Sequence, residues 1–292
     1  MRRILAALYA TLAYLAFLLP ITYLVGFLAD AGVPKTVDRG AGPLGPSLIV
    51  DVVLLLAFGL QHSVMARPAF KRRIRRWVPP ALERSTYVLA SGTVLGMLFW
   101  LWRPVPMVLW EVTGTPLEGL AWAGFVGGLG VAVWATFALS HPHLFGLPQA
   151  TAWGLRRDPP RMVLRESLLY RLVRHPMTAG LLLLFWSTPR MSLGHAVFAL
   201  GMTAYSLVAT VLEERDLLRT FPERYGKYRE RVPALLPPLR PGRLLPRRGG
   251  LGLELTLVAA AALLPLASLH RVSLVAPSPP DTDPPLERHT MV

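Results

Sequence analysis

The sequence predicts an all-α, polytopic membrane protein with about five to seven transmembrane helices, and three observations carry that prediction. Of the 292 residues, 53% are hydrophobic and only 16% are charged, whereas roughly a quarter of a soluble domain carries charge. Apolar runs close to the roughly 20 residues that cross a bilayer as helix recur along the chain. The basic residues collect in alternate loops between those runs, the pattern that charge bias imposes on membrane proteins.

The runs at 4–28, 48–65, 87–102 and 120–139 are each read as one span. Two further apolar arms, 178–187 and 193–212, are separated by Thr188 and Pro189, where proline removes a backbone donor and favours a turn. This pair is a predicted helical hairpin. Its first arm is short, so either the helix begins earlier, near Leu168, or the polar residues at its base lie inside protein. Both versions place Arg174 and His175 at the base.

Arg67, Lys71, Arg72, Arg73, Arg75, Arg76 and Arg84 follow the second span, and Arg156, Arg157, Arg161, Arg165, Arg171 and Arg174 follow the fourth. A third set runs from Arg215 to Arg248, while the alternate loops hold only Lys35, Arg39, Arg103 and Arg190. The rule places the rich loops, and an N-terminus bearing Arg2 and Arg3, in the cytoplasm. The formal net charge of +14 is therefore loop charge facing membrane lipids, and no nucleic-acid partner is expected. Cysteine is absent, which excludes disulfides, a thiolate nucleophile and Cys-ligated metal.

The two ends differ from the middle. The first run resembles a secretory signal, with Ala29-Asp30-Ala31 in the place of a cleavage site, but it is longer than a signal's apolar region and is read as a retained span. Residues 251–269 could form one more span, weakened by Glu254 and Pro265. Residues 276–285, rich in Pro, Ser and Asp, are expected to be disordered.

The hairpin returns the chain to the side on which it started. Arg174 and His175 at its entrance thereby approach Glu213 and Glu214 at its exit, with Tyr225 and Tyr228 following. Carboxylates suit a cation, arginine a carboxylate, and tyrosine faces a π system. S-adenosylmethionine presents a sulfonium, an amino-acid head and an adenine ring. Solvated helix ends with Arg–Glu pairs at the membrane boundary would give the same pattern with no ligand at all.

Arg174-His175-Pro176, Gly180, Glu213-Glu214, Leu217, Phe221, Tyr225, Tyr228 and Val232-Pro233 resemble the C-terminal signature of the isoprenylcysteine carboxyl methyltransferase and phospholipid methyltransferase superfamily. Upstream, residues 60–67, Glu83-Arg84-Ser85-Thr86-Tyr87, Trp100 to Pro104, and His141 with Leu144-Phe145-Gly146-Leu147 resemble one branch, the bacterial methanethiol S-methyltransferases. That branch is related to membrane proteins of nitric oxide and nitrite metabolism. The resemblance implies a multi-pass bacterial inner-membrane enzyme that methylates methanethiol, or another small thiol, to dimethyl sulfide. It implies S-adenosylmethionine as cofactor, held in a pocket formed by the hairpin, with Arg174, His175, Pro176, Gly180, Glu213, Glu214, Tyr225 and Tyr228 as binding residues. On this reading residues 1–240 form the membrane-embedded methyltransferase domain, and 241–292 are an extension. The chain departs from the branch at Ser140 and His143, where Asn and an acidic residue are expected, and from the superfamily at Thr178, where an aromatic residue is usual.

A thiol must lose its proton to react well, and His62 and His141, at the same ends of the second and fourth spans, are the candidate bases. Each could equally cap carbonyls or pair with lipid phosphate. Two other functions fit the residues. The acceptor could be a lipid or isoprenoid, or the chain could be no enzyme and bind haem or copper through His62, His141, His143, His175 and His195.

Overall fold

The computed structural model describes residues 2–157 and 168–236. In chain order they form α1 (Arg2–Leu28), α2 (Leu44–Ala66), α3 (Pro68–Ile74), α4 (Glu83–Leu101), β1 (Val108–Glu111), α5 (Pro116–Ala138) and α6 (His141–Leu144). There follow α7 (Leu147–Gly154), α8 (Leu168–Leu172), α9 (Pro176–Trp186), β2 (Arg190–Ser192), α10 (Leu193–Thr220) and α11 (Pro222–Arg231). The fold is all-α and polytopic. Helices α1, α2, α5 and α10 are long and apolar enough to cross a membrane, and α4 and the 11-residue α9 pass through the bundle beside them. The extension at 241–292, with its candidate span and Pro-rich tail, lies outside the described residues.

The helix ends follow from local chemistry. Proline occupies the first turn of α5 and of α9, where its missing N–H removes no helical bond. Thr115 caps α5 by accepting from the Leu117 amide, and Ser192 caps α10 by accepting from the His195 amide at 3.0 Å. The outer surface is apolar: Leu8, Leu12, Leu15 and Leu19 form an exposed stripe along α1. In water that stripe would be unfavourable, and in lipid it is the solvated face.

Helix α4 lies between α1 and α2, α2 lies between α4 and α10, and α9 joins α10 to α5. The short helices α6 and α7 carry the chain from α5 back against α1. Helices α1 and α4 run in the same direction, since Tyr9 meets Thr86, Phe17 meets Gly92, and Phe27 meets Phe99. Phe27, Phe99, Trp102, Phe185 and Phe198 fill one half of the bundle, and the Trp102 indole donates to the Val37 carbonyl. That half is closed by the antiparallel pair β1–β2, formed by the connections before α5 and before α10. This small sheet follows the break expected at Thr188 and Pro189, although alternation too short to read gave no sign of it.

The α5–α9 crossing is very close. A Cβ on Gly180 would lie 2.6 Å from the Gly128 carbonyl oxygen, and one on Gly128 would lie 2.6 Å from the Gly180 carbonyl oxygen. Small residues permit this backbone approach, which substitutes for side-chain burial between helices in lipid. Only α9 of the expected hairpin is short, and its base is resolved in favour of burial inside protein. Helix α8 stops at Leu172, and the amides of Arg174 and His175 donate to the carbonyls of Pro233 and Ala234 at 2.8 and 2.9 Å.

Candidate functional site

The break between α8 and α9 turns Arg174 and His175 toward the last third of α10. The Arg174 guanidinium lies 2.7 Å from Glu214 Oε1 through Nη2 and 2.8 Å through Nε. Its Nη1 donates to the carbonyls of Arg229 and Val232. His175 Nε2 lies 3.1 Å from the same Glu214 oxygen, and its Nδ1 is 3.7 Å from Glu213 Oε2. Arg174, His175, Glu213 and Glu214 therefore do converge.

Their surroundings divide them. Arg174 and Glu214 have side chains only 8% and 7% exposed, and they satisfy one another and the backbone. They form a knot that ties the hairpin base to the segment after α11. Glu213, one residue earlier, has a side chain 63% exposed and keeps carboxylate capacity for a ligand. It lies near enough to Arg84, Tyr87, Tyr170 and Tyr205 for its charge to act on all four.

Tyr225 and Tyr228 pack with Val232, Leu217, Leu218 and Phe221 in a small core of their own. The Tyr228 hydroxyl donates to the Tyr170 carbonyl, and burial raises the pKa of Tyr225, so its hydroxyl stays neutral. Pro176 is the first residue of α9, and Gly180 is the contact with α5. The structure thus gives Pro176, Gly180, Tyr225 and Tyr228 positions that shape the hairpin.

His62 lies on α2 and faces Phe58, Tyr87 and Tyr205, with ring centroids 5.5, 4.8 and 5.7 Å away. Its Nε2 is hydrogen-bonded to the Tyr87 hydroxyl, and its Nδ1 is buried with no hydrogen-bond partner among the described residues. His141 is different. Its Nε2 and Nδ1 each meet a hydroxyl at 2.8 Å, from Tyr14 and Thr136, and its ring stacks on Phe137. Because the Thr136 hydroxyl also donates to the Val133 carbonyl, Thr136 accepts from Nδ1–H and Tyr14 donates to Nε2. Phe145 packs on Tyr14 and Phe17, and Arg84 Nε donates to the Leu144 carbonyl at 2.8 Å. The motif from Leu144 to Leu147 is thereby the clasp that docks α6–α7 onto α1 and α4.

Arg84 is the residue that sequence reasoning missed. Beyond its bond to Leu144 its amino groups make no hydrogen bond among the described residues, and it lies by Glu213. At the start of a span it reads as one more loop charge, and only its place in the stretch from Glu83 to Tyr87 marked it. Among the described residues no three His, Cys, Asp or Glu side chains group as metal ligands. His143 and His195 bond separately, to Ser140 and to the Phe185 carbonyl, and His195 lies at the opposite end of α10 from Glu213.

A helical bundle with four apolar helices long enough to cross a membrane, and with Arg174, His175, Glu213 and Glu214 gathered at the hairpin base, defines the class: a polytopic all-α membrane protein with a buried ionic cluster. The chain is 45% identical over 240 residues to methanethiol S-methyltransferase of Mycobacterium tuberculosis, covering 81% of this chain and 98% of that one. It is 46% identical over 234 residues to the methanethiol S-methyltransferase of Pseudomonas deceptionensis, covering 80% and 89%. Nurim of Danio rerio is a more distant relative, 30% identical over 199 residues, with 65% and 71% covered. No family profile and no solved structure matches the chain. The chain belongs to the methanethiol S-methyltransferase family.

Proposed function

We propose that this protein transfers a methyl group from S-adenosylmethionine to the sulfur of methanethiol, releasing dimethyl sulfide, in the bacterial inner membrane with its N-terminus in the cytoplasm. The observation that carries the reading is family membership over nearly the whole of a relative named for this reaction. Physical chemistry adds support. Bound there, S-adenosylmethionine supplies an electrophilic methyl on a sulfonium. Attack by thiolate removes two opposite charges, so a site poor in water favours the transition state over the separated ions.

The residues present fit that donor. Glu213 offers an exposed carboxylate to a cationic group, and His175 stands beside it. Arg84 has amino groups that make no hydrogen bond among the described residues and could meet a carboxylate, whereas Arg174 is already saturated by Glu214, Arg229 and Val232. In this account Glu213, His175 and Arg84 bind, and Arg174 with Glu214 hold the hairpin that presents them. Pro176, Gly180, Tyr225 and Tyr228 act through the same scaffold. Orientation rests on loop charge, since the end of the bundle holding this cluster also carries Arg67, Lys71, Arg72 and Arg73.

Headspace gas chromatography of cells expressing the chain and supplied with methanethiol tests the reading. Dimethyl sulfide above the level of cells with an inactive control is the expected result. No excess, from protein shown to be folded and to bind the donor, would pass the acceptor role to a lipid, an isoprenoid or another thiol.

A further inference from the structure

The ring of aromatic side chains around His62 is unexplained by the donor cluster. Phe58 and His62 come from α2, Tyr87 from α4 and Tyr205 from α10, so three helices converge on one imidazole. A buried ring nitrogen without a partner is unusual in a folded protein, because its lost hydration is not replaced. The Tyr87 hydroxyl takes Nε2, and Gln61 Nε2 contacts the Met65 sulfur, while Gln61 Oε1 is, like His62 Nδ1, buried with no hydrogen-bond partner among the described residues. Nδ1 is thus left without a hydrogen-bond partner among the described residues. Glu213 stands on the same helix as Tyr205, and Tyr87 and Tyr205 both lie within range of its charge.

Resting on the methyl-transfer reading above, we infer that the aromatic box of Phe58, Tyr87 and Tyr205 is the acceptor site, and that His62 Nδ1 is the base that takes the thiol proton. The role requires the tautomer in which His62 Nε2–H donates to the Tyr87 oxygen, leaving the Nδ1 lone pair free, and the Tyr87–Nε2 contact accommodates that tautomer. The thiol S–H bond breaks and its proton passes to Nδ1. The sulfur lone pair forms the new S–CH3 bond as the bond from that methyl to the sulfonium breaks, leaving a neutral thioether on the donor. The imidazolium then returns its proton to water. Charged and titratable neighbours are Arg67 just after α2, Arg84 and Tyr87 on α4, and Tyr205 and Glu213 on α10. His141, with both nitrogens engaged by Tyr14 and Thr136, is a docking residue of the α6 clasp. With the Phe58, Tyr87 and Tyr205 rings 5.5, 4.8 and 5.7 Å from the His62 ring, the proposed site favours a one-carbon thiol over a longer chain.

The test compares wild type with His62→Gln, Tyr87→Phe and Phe58→Ala, as purified full chains in detergent, from pH 6.5 to 10. Dimethyl sulfide is the product measured, and donor affinity is followed by calorimetry. His62→Gln is expected to lower kcat/KM for methanethiol about a hundredfold at pH 7. Its rate should rise about tenfold per pH unit as thiolate accumulates, with donor affinity unchanged, a pH profile that pocket collapse would not give. Tyr87→Phe keeps the ring and carries the same test should His62→Gln not fold, with about a tenfold loss in kcat at constant KM. Phe58→Ala should raise the rate with 1-propanethiol relative to methanethiol about tenfold. Full activity of His62→Gln at neutral pH, or an equal loss at every pH, overturns the role of His62. Unchanged thiol selectivity in Phe58→Ala overturns the box. A wild-type protein that binds donor but methylates neither thiol refutes the methyl-transfer reading itself, and this inference with it.

Discussion

The Arg174 guanidinium and the Glu214 carboxylate meet at 2.7 Å with both side chains more than nine-tenths buried, while the adjacent Glu213 is largely open. Neighbouring glutamates thus have opposite expected roles. Replacing Glu214 by Gln leaves a buried guanidinium poorly paired and should destabilise the fold by about 3 kcal/mol or more. Glu213→Gln should change stability by less than about 0.5 kcal/mol yet weaken donor binding about tenfold or more. Denaturation in detergent and calorimetry with S-adenosylmethionine separate the two. Equal effects of both substitutions on either measurement would remove the distinction.

Gly180 belongs to the motif that suggested a cofactor contact, but its surroundings are the backbone of α5. A Cβ there would collide with backbone atoms on Gly128 and Ala132, which cannot give way as a flexible side chain can. Gly180→Ala is expected to cost about 1–3 kcal/mol and to lower the yield of folded protein. Donor affinity per folded molecule should be nearly preserved. Normal folding with lost donor binding would return Gly180 to the pocket.

His141 gives a prediction in pH. Burial lowers its pKa below the ordinary value of 6.5, so the folded protein binds this proton less readily than the unfolded chain. Stability linked to His141 is therefore present above the unfolded value and is lost as pH falls through it toward the folded one. His141→Gln should be less stable than wild type at pH 8, through lost bonds to Tyr14 and Thr136, but the gap in Tm should narrow by pH 5. A gap that widens on acidification would contradict the assignment.

Ser140 adopts a left-handed conformation with φ of +79°, which asparagine tolerates better than serine. Asparagine is what the family resemblance leads one to expect there, so the departure has a physical reading: a locally strained turn before the α6 clasp. Ser140→Asn should stabilise the protein by about 0.5–1 kcal/mol. Thermal denaturation in detergent checks the sign.

Much of this architecture was legible because a bilayer makes simple demands. Length and apolarity announced α1, α2, α4, α5 and α10, and the Thr188-Pro189 break announced the turn between α9 and α10. The return of a hairpin to its own side was enough to bring His175 near Glu213 and Glu214. What sequence did not reveal was which polar atoms remain available. Arg174 and Arg84 look alike as loop arginines, yet one is saturated by Glu214 and two carbonyls while the other, among the described residues, bonds through Nε alone. Tyr225 and Tyr228 look like ligand-facing aromatics, but helix α11 turns both into a private core. His62 and His141 were equivalent as lone histidines at helix ends. Only tertiary partners, contributed by α1 in one case and by α4 and α10 in the other, tell them apart.

The most direct test of methyl transfer follows the methyl group. The purified chain, reconstituted in lipid vesicles, is given methanethiol and S-adenosylmethionine carrying a trideuterated methyl, and the headspace is analysed by mass spectrometry. Dimethyl sulfide three mass units heavier than the unlabelled compound, formed by wild type and formed more slowly by Glu213→Gln at limiting donor, is the predicted result. Folded, donor-binding protein that yields no labelled dimethyl sulfide would contradict the account.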